Sequence, residues 1–212
     1  LHLNDSVTDG ATLVADAHTD STGNEYHGNQ DGNSRLDSGQ IAGAADNDTS
    51  DNINIPDWTD TGNIYTISCW MYPDAVGEWH PVFGGGTADW SSFRFHGANN
   101  AVYYIGTDDG DWNSRFQTAD GYLPVGAWHY VTFTFGKRKA RLYKDGILTH
   151  TKDNMDNPAD WGGVNIGENK SDCKWDEFRL DNVARSSNWV WACYQNQGAN
   201  HSSFVEYGDV ER

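Results

Sequence analysis

The chain has 212 residues and a formal charge of −17, from 31 acidic against 14 basic residues. That length suits one domain, expected to run from 1 to 212, and it can bury a core without covalent staples. The charge argues against nucleic acid and against docking on anionic lipid, both of which call for basic surfaces. No apolar run approaches the roughly 20 residues of a membrane helix, so membrane insertion is not expected.

Ten Trp, ten Tyr and eight Phe stand among Gly, Asn, Asp, Ser and Thr. That is the vocabulary of strands and turns. The chain opens on "LHLND", which reads as a strand already under way and suggests a module excised from a longer protein, with neighbouring domains attached. Residues 20 to 28, "DSTGNEYHG", form a loop of oxygen donors and glycines. Asp20 offers a carboxylate and Asn24 an amide oxygen, as calcium prefers; the same residues are also ordinary turn chemistry. Residues 44 to 52, "AADNDTSDN", read as an exposed loop.

Short alternating runs follow, bounded by Gly, Asn or Asp: "NINI", "IYTISCWMY", "SFRFH", "AVYYIGT" and "WHYVTFTF", then "ARLYKDGILTH", "GVNIG" and "DEFRLDNV". Each reads as a strand. "GKRK" and "KDG" are hairpin turns that make a meander. Only "RSSNWVWACYQNQ" suggests a helix, with a serine start signal and Trp189 and Cys193 on one face. Many strands at this spacing imply an all-β, two-sheet antiparallel sandwich or jelly roll with a short C-terminal helix. Trp58, Trp70 and Trp128 are expected in the core, with Trp189 and Trp191 pinning the helix. Cys69 is expected as a buried thiol; a Cys173–Cys193 bridge is left open.

Two sets of residues suggest ligand contact. Trp79, Trp90, Trp112 and Trp161 lie in polar loops, where an indole face can cover the C–H face of a sugar. Each can equally be a structural plug. Arg94 and His96 share one strand face, opposite Phe93 and Phe95, and Arg115 follows Trp112 by three positions. Arginine's planar fork suits a carboxylate or sulfate, although pairing with the chain's own carboxylates is the plainer role. At the far end, Asp176-Glu177 heads a strand. First and last strands commonly neighbour one another in a jelly roll, so Asp176 could reach the Asp20 loop.

The ordered set of the Asp20-Ser-Thr-Gly-Asn24 loop, the Trp128-His129 strand, the Leu142-Tyr-Lys-Asp-Gly146 hairpin and Asp176-Glu-Phe-Arg179 with its Ala184-Arg-Ser tail resembles a known family. It is similar to the concanavalin A-like, laminin G-type jelly-roll modules of secreted bacterial and archaeal proteins. The resemblance spans about residues 1 to 208. It implies an extracellular location and one structural calcium held by Asp20, Asn24 and Asp176, with the carbonyl of His27 as a further candidate. The three cysteines and the extra tryptophans depart from the pattern.

Related jelly rolls include hydrolases and lyases, but paired carboxylates on alternate strand positions are not found here. "FRFHG" with Tyr103 or Tyr104 only faintly echoes a lyase site. No Ser-His-Asp order, phosphate loop or zinc spacing appears. The expected function is a non-catalytic, lectin-like module for polysaccharide or glycan. An adhesion or spacer module contacting protein is the alternative, and a polysaccharide lyase or glycoside hydrolase domain the second.

Overall fold

The "GKRK" and "KDG" segments are hairpin turns, as expected, the second on an Asp-Gly pair that favours positive φ and the first on a Lys-Arg pair that does not. They join β11 (His129–Gly136), β12 (Lys139–Lys144) and β13 (Ile147–Lys152). Lys137 and Arg138 have φ of 53° and 59°, and Asp145 and Gly146 have 51° and 79°. Positive φ at both central residues is the turn geometry that matches strand twist. The Asp145 carboxylate accepts from the Tyr130 amide at 2.9 Å, and the Asp145 amide donates to the Tyr130 carbonyl at 2.8 Å. This computed structural model describes residues 13–32, 35–41, 43–47, 51–59, 64–75, 81–85, 92–96, 101–105, 115–155, 162–167 and 172–198.

The meander extends into a seven-stranded sheet through β6 (Tyr65–Pro73), β15 (Cys173–Asp181), β4 (Gly43–Asn47) and β3 (Arg35–Ser38), in the order β13-β12-β11-β6-β15-β4-β3. The facing sheet has eight strands. They are β1 (Leu13–His18), β2 (Gly28–Asp31), β5 (Asn52–Thr59), β14 (Gly162–Ile166), β7 (Pro81–Gly85), β8 (Ser92–His96), β9 (Ala101–Ile105) and β10 (Arg115–Gln117), in that spatial order. The pairings are antiparallel throughout. The all-β, two-sheet expectation therefore holds.

The core lies between the sheets. Ile53, Ile55 and Trp58 of β5 and Val164 and Ile166 of β14 meet Tyr65, Ile67, Cys69 and Met71 of β6 and Val131, Phe133 and Phe135 of β11. Tyr65 stacks on Phe135 at 5.7 Å and meets Trp58 edge-on at 6.4 Å. β15 adds Trp175 and Phe178 to the same core, although they are three positions apart. A register shift between Asp176 and Arg179, with Glu177 at φ 51°, makes this possible. An extra residue in one strand moves all later side chains to the opposite face.

A second cluster sits on the other side of the seven-stranded sheet. Trp70, Tyr130 and Tyr143 project there and are covered by Val190 of α1 (Ser187–Gln197). Ser186 caps the helix by accepting from the Trp189 amide. Tyr194 packs over the second hairpin turn, where a Cβ on Gly146 would lie 3.0 Å from its ring. Trp189 and Cys193 pack against this cluster, and Arg185 lies 4.7 Å from the Trp189 ring centre. Among the described residues no helix is long and apolar enough to cross a membrane.

Several expectations need correction. "AADNDTSDN" is not simply an exposed loop: β4 takes up its first part, and Ala44, Ala45, Asn47 and Asp51 are buried. Trp191 is 47% exposed, and the fully buried residue of the helix is Val190. The cysteines are free, with Cys173 in the inter-sheet core and Cys193 packed on the helix side, so the sheet separates them. The opening "LHLND" lies outside the described residues.

Candidate functional site

The register of β8, β9 and β10 assembles one composite face. Arg94 aligns with Tyr103 and Tyr103 with Gln117; Ser92 aligns with Ile105 and Ile105 with Arg115. Residues directly opposite one another share a sheet face, as do alternate residues along a strand. Arg94, His96, Tyr103, Arg115 and Gln117 therefore fall on one face, and Phe93, Phe95, Val102, Tyr104 and Phe116 on the other. Gln117 is exposed, so the first face opens to solvent at β10. Strand spacing sets the Arg94 and Arg115 backbones roughly 12 Å apart. These three strands contain no Asp or Glu, in a chain where acids outnumber bases by 31 to 14. Trp79, Trp90, Trp112 and Trp161 lie outside the described residues.

Sequence spacing suggested Arg94 and His96 as neighbours. It gave no register across β9, so Tyr103 and Gln117 as partners of Arg94, and Arg115 as a residue of the same face, emerge only from the sheet.

The candidate metal residues fall in two places. Asp20, Asn24 and His27 share the early loop. One Asp20 carboxylate oxygen accepts from the Thr22 amide at 2.9 Å; the other accepts from the Thr22 hydroxyl at 2.7 Å and the Tyr26 amide at 3.1 Å. The Asp20 amide donates to His27 Nδ1 at 3.1 Å. Burial would raise the Asp20 pKa, but these donors outweigh it and hold the carboxyl below its ordinary value.

Asp176 turns elsewhere. Its Oδ2 accepts from the Ile41 amide at 2.7 Å, in the turn between β3 and β4. A Cβ on Gly39 would lie 2.7 Å from the same oxygen, so only glycine lets that turn close over the carboxylate. Burial, with the charge of Glu177 beside it, pushes the Asp176 carboxyl up to about 6. The donor chemistry suits calcium, and the Asp20 and Asp176 carboxylates accept from amides of different turns. No group of three or more His, Cys, Asp or Glu converges as a metal site among the described residues.

What the early loop does meet is the late half of β15. β4 pairs only with Cys173 to Trp175, whereas β6 follows β15 to Asp181. Beside that flank lies a cleft of about 440 Å³. Its lining draws on Asp20, Thr22, Asn24 and Tyr26 of the early loop, on Ile55 and Trp58 of β5 and on residues 177–182; within the last stretch Arg179 and Asp181 pair with Ser68 and Thr66, so their side chains fall on the outer face of the seven-stranded sheet. Arg179 Nη2 donates to Glu177 Oε2 at 2.9 Å, and Arg185 Nη2 to Asp181 Oδ1 at 2.7 Å. The uneven alternation of "WDEFRLDN" was the available signal, and the bulge at Glu177 is its cause.

Residues 47–190 match the family model of the Concanavalin A-like lectin/glucanases superfamily. No curated protein matches the sequence. Among solved structures the chain is similar to domain 4 of AbnA, a GH43 extracellular arabinanase from Geobacillus stearothermophilus, in complex with arabinotriose. The TM-score is 0.70 at 19% identity, covering 84% of this chain and 92% of that one. It is also similar to the binding domain of Paraclostridial Mosquitocidal Protein 1, with a TM-score of 0.69, 14% identity, and 92% and 52% coverage. A third is the botulinum neurotoxin serotype D ligand binding domain in complex with N-acetylneuraminic acid, with a TM-score of 0.65, 13% identity, and 84% and 48% coverage. The chain thus spans about half of each toxin domain. Similarity at these identities is similarity of fold. The family match runs from the end of β4 to the middle of α1, most of the chain's length, and on it the chain belongs to the concanavalin A-like lectin/glucanase superfamily.

Proposed function

We propose that this chain is a non-catalytic carbohydrate-binding module of a secreted or surface protein, and that glycan lies across the β8–β10 face. The observation that supports this reading is the common face of Arg94, His96, Tyr103, Arg115 and Gln117. An aromatic flanked by planar donors suits a sugar ring and its hydroxyl or carboxylate groups. Structural neighbours in complex with arabinotriose and with N-acetylneuraminic acid support the same class of ligand.

The test is a glycan array followed by affinity electrophoresis on neutral and acidic plant and marine polysaccharides. Replacing both Arg94 and Arg115 by Ala should weaken binding at least about tenfold, near 1.4 kcal/mol, with the melting temperature unchanged. Silence across the array overturns the reading. New unsaturated or reducing ends in the incubated polysaccharide overturn its non-catalytic part.

Calcium is proposed separately, as a structural ion. Asp20, Asn24 and the His27 carbonyl are one partial donor set. Asp176 is a buried carboxylate with amide rather than cationic partners. Chelation should lower the melting temperature; an unchanged melt removes the ion.

A further inference from the structure

The floor beneath α1 is not built like a permanent core. Ser68, Trp70, Tyr130, Thr132 and Thr134 all project from the outer face of β6 and β11. Register sets Ser68 opposite Thr132 and Trp70 opposite Tyr130. All five are buried. Among the described residues, their four hydroxyls and the Trp70 indole N–H have no hydrogen-bond partner. The Tyr130 phenol stands near Ser68 and Thr132 without meeting either in hydrogen-bond geometry. Covering such groups without partners is unfavourable, and contact with water restores their bonds as soon as the cover lifts.

The cover itself is lightly held. α1 has 11 residues, and its fully buried residue is Val190. Isolated helices shorter than about 12–15 residues are marginal in water, so α1 depends on its packing. Its entry is clasped: the Thr66 hydroxyl donates to the Val183 carbonyl at 2.7 Å and accepts from the Arg185 amide at 2.9 Å. Its far half rests on rings, with Tyr194 5.7 Å from Trp70 and 6.3 Å from Tyr130 between centroids. A helix fixed at one end and stacked at the other can pivot on the clasp.

From this we infer that α1 is a displaceable cover, and that lifting it opens a second binding face, for oligosaccharide, on the outer side of β6 and β11. Uncovered, the floor presents the rings of Trp70, Tyr130 and Tyr143 beside hydroxyls that both donate and accept. A sugar answers both features, its C–H face on a ring and its hydroxyls on the floor hydroxyls. An apolar partner would leave the hydroxyls unpaired again. This face belongs to the seven-stranded sheet and β8–β10 to the facing one, so the two sites are independent.

The experiment is NMR on the whole chain. Trp70 under α1 and Trp175 in the inter-sheet core are both buried, and neither indole N–H has a partner among the described residues. Their solvent exchange therefore compares opening of the cover with opening of the core. The Trp70 indole should exchange at least about a hundredfold faster. Arabinotriose should then shift the Trp70 indole and the amides of β6 and β11. Apparent affinity is the intrinsic affinity reduced by the closed fraction, so Val190→Ala should tighten arabinotriose about tenfold while lowering the melting temperature. Ser186→Ala, which weakens the start of the helix, should act in the same direction by less. Arg94→Ala with Arg115→Ala should leave these shifts unchanged.

Equal exchange of the two indoles overturns the cover, and means that groups sealed beneath the helix satisfy this floor. Weaker or unchanged binding in both Val190→Ala and Ser186→Ala overturns the helix as a gate. Arabinotriose that shifts only β8–β10 amides, or none, overturns the outer-face site and leaves the β8–β10 reading to its own array.

Discussion

Along its central strands, β6 and β11, the seven-stranded sheet has two faces that are equally dry and chemically opposite. On the inner face Tyr65, Ile67, Cys69, Met71, Val131, Phe133 and Phe135 are all at most 1% exposed. On the outer face Thr66, Ser68, Trp70, Tyr130, Thr132 and Thr134 are at most 3% exposed. The inner face meets another sheet and is filled with hydrocarbon and rings. Much of the outer face carries hydroxyls. Exclusion of water therefore does not require an apolar strand face here; it requires a cover. The inner face has a sheet as its cover, and the outer aromatics have α1. The comparison separates two sources of stability, which substitutions on each face can measure.

The largest loss is expected on the inner face. Phe133 is fully buried and packs with Tyr65 at 6.0 Å. Phe133→Ala removes a ring from between two sheets that cannot close the gap, and should cost about 3–5 kcal/mol. Urea unfolding should show a lower midpoint with an unchanged slope. A loss below about 1 kcal/mol would mean that the sheets collapse onto one another, and the inner face would no longer be the rigid one.

On the outer face the corresponding change is Val190→Ala. Val190 is fully buried in the cluster with Trp70, Tyr130 and Tyr143, but it sits on a single short helix that can readjust. Removing two methyl groups should cost about 2 kcal/mol. Hydrogen exchange should rise in α1 before it rises in β11, because the cover loosens while the sheet stays intact. Equal protection loss in both elements would show that cover and sheet unfold as one. A smaller effect follows at the helix start. Ser186→Ala removes the side chain that accepts from the Trp189 amide and should cost about 1 kcal/mol, read from the same urea curve.

How far the sequence could be read follows the same division. β6, β11 and the two hairpins were legible because turn residues and apolar positions agree locally: Asp145-Gly146 demands positive φ, and Phe133 and Phe135 alternate. β4 was not legible. Its buried residues include Ala44, Ala45 and Asn47, a composition that resembles a loop until a neighbouring strand covers it. In β15 the bulge at Glu177 scrambles alternation, which hid Phe178 as a core residue and put Glu177, rather than Asp176, on the cleft. Arg94 and His96 were legible as one face of one strand. Tyr103, Gln117 and Arg115 joined them only through register, which depends on contacts distant in sequence.

The smallest effect carries the sharpest test of the comparison, because its sign should be reversed. Thr134 is fully buried on the outer face, and its hydroxyl has no hydrogen-bond partner among the described residues. Burying a hydroxyl without a partner is unfavourable, whereas a methyl group of the same size carries no such penalty. Thr134→Val keeps the shape and the β-branch, so strand propensity is conserved. It should raise stability by about 0.5 kcal/mol, a gain that thermal melting can resolve in a careful comparison. A loss of about 1 kcal/mol instead would mean that an ordered water satisfies the hydroxyl, since removing such a partner leaves the water short of a bond. The outer face would then be held by a polar network sealed beneath its cover, and its hydroxyls would be stabilising elements.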